Sequence, residues 1–334
     1  MRKILLALLL PFLLLAGCTT DKPSIVPSLL PTNTPAPTAS LTPLPPSDTS
    51  AVTELPIETL TPTPLPPVPD FRHIIILIFE NHEYDFVIGN HAMPNFNAYA
   101  EKYALLTQYY AVTHPSLPNY LALIGGDTFG IHNDCESCNI DAQSLPDLIE
   151  ASGRSWKTYQ ESMPEACSTR DTLRYMKKHN PFAYFDAIRL DAERCQRSVV
   201  PLDQLEVDLR QGSLPDFVFI TPNMCHSGHD CSLDKADAFT GEWLGKLLAY
   251  PGLLDDSLIV LTWDEGQGDH ACCGLEKGGG RVATVLISNR VFPGLQDDTP
   301  YTHYSLLKTI ASAWGLPELG RAADAPLIEK PWTP

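Results

Sequence analysis

An α/β fold with a mainly parallel sheet and helices on both faces is predicted by three apolar runs that end in the same kind of chemistry. Residues 73–79 (His-Ile-Ile-Ile-Leu-Ile-Phe) stop at Glu80, Asn81 and His82. Residues 217–221 run into Pro222 and Asn223, then His226, His229 and Asp230. Residues 258–263 run into Asp264, Glu265 and Gly266. Short, unbroken apolar runs are what strands buried on both faces require. In an open parallel sheet, ligands gather where the strands end at their carboxyl termini. Three runs that each deliver carboxylate, amide or imidazole groups predict one metal-bearing site at one rim of one sheet.

The elements follow in chain order. Met1-Arg2-Lys3 is a basic start, residues 4–15 are apolar, and Leu15-Ala16-Gly17-Cys18 follows. That pattern reads as a bacterial secretory signal over residues 1–18, ending in a lipobox with Cys18 as the lipidated residue. The apolar run is short for a spanning helix. Residues 19–70 hold 14 of the chain's 31 prolines and no glycine. Proline at that density keeps a backbone extended and denies it a packed core, so the segment is expected to be a disordered tether. The folded domain is expected over residues 71–334.

Within that domain, helices are expected at 94–102, 117–125, 144–152, 171–178, 237–249 and 304–314. The second is opened by Pro118 and the last is ended by Gly315. Strands are expected at 104–112, 156–160 and 282–288, besides the three that open the argument. Apolar runs alternating with amphipathic stretches favour parallel strands with helical crossovers.

The formal net charge is −17, with 40 acidic against 23 basic residues, which disfavours a broad nucleic-acid-binding surface. An acidic small-molecule substrate stays open, because a metal inverts the local field. Beyond Cys18 there are eight cysteines: Cys135, Cys138, Cys167, Cys195, Cys225, Cys231, Cys272 and Cys273. An even number in an exported chain reads as disulfides, with the pairing left open. A zinc-thiolate site at Cys135/Cys138 lacks a second pair at suitable spacing.

Thr113-His114-Pro115-Ser116-Leu117-Pro118-Asn119 links a strand to a helix. Ser116 would therefore sit at a helix amino terminus, where free N–H groups and the dipole favour an anion. A nearby metal would lower its hydroxyl pKa. The competing reading makes Ser116 a helix cap. Asn119 offers an amide for a phosphoryl oxygen. Lys178-His179-Asn180-Pro181 reads either as a cationic wall or as a basic helix terminus. Gly278-Gly279-Gly280-Arg281 lacks the lysine and the strand-then-helix order of a phosphate loop, and is expected to be a flexible hairpin connection. His270 is a further candidate near the site.

An ordered series of segments resembles the bacterial and fungal phosphoesterase family of acid phosphatases and phospholipases C, within the alkaline phosphatase superfamily. The segments are Glu80-Asn81, His114-Pro115-Ser116-Leu117-Pro118-Asn119-Tyr120, Lys178-His179-Asn180-Pro181-Phe182, Thr221-Pro222-Asn223-Met224-Cys225-His226-Ser227-Gly228-His229-Asp230, Thr262-Trp263-Asp264-Glu265-Gly266 and His303-Tyr304-Ser305-Leu306-Leu307-Lys308-Thr309. The resemblance implies a metal-dependent hydrolase acting on phosphate esters through a serine nucleophile. Glu80, Asn81, Asp264, Glu265 and the Ser116 oxygen would hold a divalent cation. Ser116, Asn119, His226 and His229 would be catalytic, and Asn223, Asp230, His179 and His303 would bind substrate. Family members commonly carry Asn-Asp where this chain has His226-Ser227. Oxygen ligands suit Mg, Ca or Mn, while nearby histidines leave room for Zn or Fe.

The expected reaction is phosphomonoester hydrolysis through a phosphoseryl intermediate by a lipid-anchored, extracytoplasmic protein. The alternatives are a phosphodiesterase of the phospholipase C kind and a non-catalytic surface binding lipoprotein. The second of these would be marked by loss of the nucleophile or the acidic ligands, and the sequence keeps them.

Overall fold

The computed structural model of the chain describes residues 66–333. The signal segment, Cys18 and the tether up to residue 65 lie outside the described residues. Val68 and Phe71 are the first buried apolar side chains among those described.

In chain order the elements are β1 His73–Phe79, α1 Tyr84–Val87, α2 Pro94–Lys102, β2 Ala104–Leu106, β3 Tyr109–Tyr110, α3 Ser116–Gly125, α4 Leu145–Ala151, β4 Trp156–Gln160, α5 Asp186–Arg189, α6 Ala192–Ser198, β5 Val199–Pro201, α7 Asp203–Gln211, β6 Phe217–Thr221, α8 Leu233–Leu248, β7 Ser257–Trp263, β8 Thr284–Ile287, β9 Gln296–Asp297, β10 Tyr301–Thr302 and α9 His303–Trp314. Eight strands form one sheet in the order β5-β4-β6-β1-β7-β8-β2-β9, and β3 pairs with β10 in a small second sheet. All neighbours from β5 to β7 are parallel, β8 is antiparallel to both β7 and β2, and β9 is parallel to β2. Only β8 therefore runs against the other strands of the main sheet.

Strands β1, β6 and β7 are buried along their whole length, as their unbroken apolar sequences demand. Helices cover both faces. Phe79 of β1 lies beside Trp263 of β7 in the register and meets Phe96 of α2 and Phe239 of α8. Phe219 of β6 is level with Ile76 of β1, whose side chain points to the opposite face from Phe79, and it meets Tyr120 of α3. The same face receives Trp314 of α9, against Phe217.

Three expectations need correction. Residues 171–178 are not a helix; only Lys177–His179 forms a 3-10 turn. Asp171 accepts the Lys177 N–H at 2.6 Å, and the Thr172 hydroxyl accepts those of Arg174 and Tyr175. Such local side-chain acceptors compete with the helical ladder. The strand expected at 104–112 breaks at Thr107 and Gln108 into β2 and β3, which belong to different sheets. The strand expected at 282–288 is real in its centre but antiparallel, as β8.

The glycine segment 278–280 is also more than a connection. Gly279 N–H donates to the Ala111 carbonyl at 2.9 Å, Ala111 N–H to that of Gly280 at 3.0 Å, and Gly266 N–H to that of Gly279 at 2.6 Å. A β-carbon on Gly279 would stand 2.0 Å from the Thr113 carbonyl oxygen. The segment is a strap between the loop leading to Ser116 and the loop following Asp264 and Glu265.

Four disulfides are formed: Cys135–Cys138, Cys167–Cys195, Cys225–Cys231 and Cys272–Cys273. No described helix is long and apolar enough to cross a membrane.

Candidate active site

The parallel register sets the site. Phe79 and Trp263 are neighbours at the ends of β1 and β7, so the residues that follow them, Glu80 and Asp264, emerge side by side. The Asp264 N–H continues the ladder to the Phe79 carbonyl at 2.9 Å, and the Glu80 N–H bonds that of Ser227 at 2.9 Å. Alternation along β1 turns Glu80 toward the face that carries α3. There it meets Ser116, the first residue of α3, whose Oγ lies 3.1 Å from Glu80 Oε2 and 3.0 Å from Glu265 Oε1. Tyr120, one turn further along α3, donates its hydroxyl to Glu80 Oε1. Asp264 Oδ1 accepts the N–H groups of Asn81, at 3.0 Å, and Glu265, at 2.6 Å. Asn81 adopts a left-handed backbone, φ 65°, in making this turn.

The electrostatics fit a cation. A serine hydroxyl has one proton, so it donates to only one of two carboxylates about 3 Å away. The other contact then sets two oxygens facing each other without a shared proton. Asp264 Oδ2 is buried without a hydrogen-bond partner. Burial and the charges of Glu80 and Glu265 raise the Asp264 pKa well above the usual carboxylate range. Burial also opposes ionisation of Glu80, but His179, Tyr120 and Lys178 outweigh it and hold its pKa at about 2. Two fully or nearly buried carboxylates on one hydroxyl, with the buried Asp264 carboxylate interacting with both, form an oxygen donor set suited to a hard divalent ion. No group of three acidic, imidazole or thiolate residues among those described forms a ready-made metal cage. The donor chemistry and the orphaned Asp264 oxygen fit a metal, with Glu80, Asp264, Glu265 and Ser116 as its holders and Asn81 at the same turn.

Other candidates take more distant positions. His229 bonds Asp230 Oδ1 through Nδ1 at 2.8 Å, and its ring lies 6.3 Å from that of His179. His179 stacks on Tyr120 and places Nε2 3.1 Å from Glu80 Oε1, off the direction of a hydrogen bond. His226 turns elsewhere: its Nδ1 bonds Glu161 at 2.7 Å, and the ring packs on Phe239. The Cys225–Cys231 bridge closes the loop that carries these histidines.

Three residues expected to face substrate are committed to the frame. The Asn119 Oδ1 accepts the Val112 and Thr113 N–H groups, and its Nδ2 donates to the Thr113 and Pro115 carbonyls. Asn223 Oδ1 accepts the Cys225 and His226 N–H groups, and Nδ2 donates to Ser162. His303 is fully buried; Nε2 donates to the Asp264 carbonyl at 2.6 Å, while Nδ1 accepts the Tyr109 hydroxyl at 3.1 Å. Burial depresses its pKa to about 4, so it stays neutral in that pair of bonds.

Sequence reasoning gave no role to Tyr120, Glu161 or His114. His114 Nδ1 bonds Glu265 Oε2, which raises the imidazole pKa despite its partial burial. A signal was present in two of them: Tyr120 lies four residues after Ser116 on one helix face, and His114 lies in the same turn two residues before it. His270 is half-exposed, 3.9 Å from Glu83. Lys178 pairs with Asp134 at 2.8 Å and ends no α-helix. A cleft of about 650 Å³ opens over the site between Asn81, His114, Glu265 and Gln267.

Residues 90–317 match the model of the Phosphoesterase family. An acid phosphatase of Aspergillus fumigatus is 34% identical over 263 residues, 75% of this chain and 56% of the relative. A phosphatidylinositol-3-phosphatase of Mycobacterium tuberculosis is 32% identical over 272 residues, 79% of this chain and 84% of the relative. The chain thus spans little more than half the length of the fungal relative. Among solved structures, an alkaline phosphatase superfamily protein of Vibrio parahaemolyticus superposes with a TM-score of 0.52 at 14% identity, covering 78% of this chain and 71% of that one, so the fold is shared. With the family match covering more than half of the chain, the chain belongs to the phosphoesterase family.

Proposed function

We propose that this chain is a metal-dependent phosphomonoesterase with Ser116 as its nucleophile. The observation that carries the reading is the Ser116 hydroxyl held between Glu80 and Glu265, two carboxylates whose charges also act on the buried, unpartnered Asp264. A divalent ion held by Glu80, Asp264, Glu265 and Ser116 supplies charge neutralisation and lowers the hydroxyl pKa. Ser116 Oγ then bonds to phosphorus as the ester P–O bond breaks, and its proton passes to a flanking carboxylate. His229, oriented by Asp230 through Nδ1, offers Nε2 to protonate the departing alkoxide. Water then breaks the phosphoseryl bond and frees Ser116. Asn119, Asn223 and His303 act here as positioning residues, through the backbone of the loops they hold.

Two relatives named as phosphatases, an acid phosphatase and a phosphatidylinositol-3-phosphatase, support monoesters over diesters. Four disulfides fit an oxidising compartment outside the cytoplasm. The lipobox cysteine Cys18 would hold the enzyme at a membrane, where soluble and lipid-borne monoesters are both in reach.

Ser116→Ala tests the core of the proposal. Release of p-nitrophenol from p-nitrophenyl phosphate should fall on the order of 10⁴-fold, with the melting temperature nearly unchanged. Near-normal turnover would show that Ser116 is not the nucleophile and end the covalent mechanism; the helix-cap reading is already set aside, since the cap of α3 is Pro115 and the Ser116 hydroxyl lies on two carboxylates.

A further inference from the structure

One disulfide closes no loop of chain, and it lies in the segment that forms the mouth of the cleft. Cys167–Cys195 spans 28 residues, whereas Cys272–Cys273 joins neighbours. A crosslink stabilises a fold mainly by closing a loop in the unfolded chain, and adjacent residues leave almost nothing to close. Among the four pairs of the described residues, this is also the one with an exposed cysteine, Cys273. Global stability therefore does not account for it.

The backbone around the pair gives it a local task. Cys272 and Leu275 exchange both backbone hydrogen bonds, at 3.2 and 2.7 Å, across a two-residue turn. Cys273 has φ 57° and Gly274 φ 82°, so both central residues are left-handed. Turns of that form take Asn, Asp or Gly at the first central position. Cysteine has a β-carbon that disfavours this backbone and no short polar group to offset it. The bond to Cys272 is what holds it there. The hairpin continues to the bond from the Gly278 N–H to the His270 carbonyl at 2.9 Å. Its first arm reaches the site: the Gly268 carbonyl is 3.3 Å and Asp269 Oδ1 3.9 Å from His114 Nε2, and His114 bonds Glu265 through Nδ1.

We propose that Cys272–Cys273 is a site of reversible thiol–disulfide exchange with a small dithiol, and that its oxidation state sets the shape of the cleft mouth. A thiolate of the dithiol attacks the sulfur of exposed Cys273. The Cys272–Cys273 bond breaks, and Cys272 leaves as a thiolate that takes up a proton. The second thiol of the reagent then attacks its own sulfur in the mixed disulfide, closes the reagent's ring and releases Cys273 as a thiol. Two electrons and two protons have passed from the dithiol to the protein. Cys273 then leaves the left-handed region, the Cys272–Leu275 turn opens, and the arm at Gly268 and Asp269 loosens from His114. Reoxidation restores the turn.

The test treats the full-length protein with increasing dithiothreitol and labels the thiols formed with iodoacetamide. Mass spectrometry should find Cys272 and Cys273 labelled before any of the other three pairs. Trypsin reads the turn, because Lys277 is exposed in the same hairpin. Cys272→Ser with Cys273→Ser imitates the reduced pair, and should be cut after Lys277 about tenfold faster than the untreated protein. Cys272→Ser with Cys273→Gly should be cut at the untreated rate, since glycine takes the left-handed turn without the bond. The serine pair should also raise the KM for p-nitrophenyl phosphate about tenfold, as a loosened cleft mouth requires. Labelling of another pair first, slow cleavage of the serine variant, fast cleavage of the glycine variant or an unchanged KM would each overturn the proposal. Labelling and cleavage need no turnover, so their failure is separable from failure of the hydrolase reading.

Discussion

Ser116 and Tyr120, one turn apart on α3, place their hydroxyls on the two oxygens of a single carboxylate, Glu80. The proposed nucleophile and the residue that orients its acidic neighbour are thus built on one rigid element, which fixes their relative position.

Tyr120→Phe should therefore loosen Glu80 without touching Ser116. The ring stays packed on Phe219 and His179, so the fold should survive. Loss of an orienting bond to a carboxylate proposed to hold the metal should weaken metal binding and turnover together by about 10- to 100-fold. Metal titration by calorimetry alongside kcat checks this; wild-type metal affinity would remove Tyr120 from the site's support.

Asp264→Asn should move stability in opposite directions with and without metal. A carboxyl whose folded pKa is raised is destabilised by ionisation, so it loses stability as pH rises through its unfolded and then its folded value. Burial and the charges of Glu80 and Glu265 raise that of Asp264. At neutral pH, removing the charge should raise the melting temperature of the chelator-treated protein. The same change should abolish the stabilisation given by added Mn or Zn, and turnover with it. Thermal scans with and without metal read both effects. A lower melting temperature in the metal-free variant would show that Asp264 is no strained carboxylate.

Asp208 supplies a pH-dependent stability that is independent of the site. Burial opposes its ionisation, but hydrogen bonds from Lys157, Tyr159 and Gln204 outweigh it and lower its pKa. Such a group stabilises the fold above its unfolded pKa, near 3.8, and the contribution disappears as pH falls through the lower folded value. Asp208→Asn leaves Lys157 without its charge partner between β4 and α7. It should cost about 3 kcal/mol at pH 7 and much less in strong acid. Urea unfolding at the two pH values checks it, and an equal loss at both would sink the account.

Much of the frame was legible because one-dimensional signals carried it. The runs in β1, β6 and β7 are apolar without interruption, which only a strand buried on both faces needs, and Glu80, Asp264 and Glu265 stand where such strands end. Residues 171–178 misled because Asp171 and Thr172 bond their own backbone, a local choice that composition does not reveal. The amides of Asn119 and Asn223 have the chemistry to hold phosphate. Where a side-chain amide spends its donors depends on the turn around it, and that is a tertiary fact. Tyr120 and His114 lay in plain view beside Ser116, but their partners, Glu80 and Glu265, come from strands far away in sequence.

The glycine strap has a consequence for redesign. With Gly266 bonded to Gly279, and Glu83 accepting the N–H groups of Gln267, Gly268 and Arg281, the chain leaves and re-enters the catalytic frame at nearly one point. Residues 267–277, which include the Cys272–Cys273 pair and the mouth of the cleft at Gln267 and Asp269, form an interchangeable cassette on a fixed socket. Closing a longer loop across ends that are already joined adds only about 0.6 kcal/mol per doubling of its length. New residues can be inserted near the Cys272–Leu275 turn to reshape the mouth of the cleft, while Ser116, Asp264 and Glu265 keep their places.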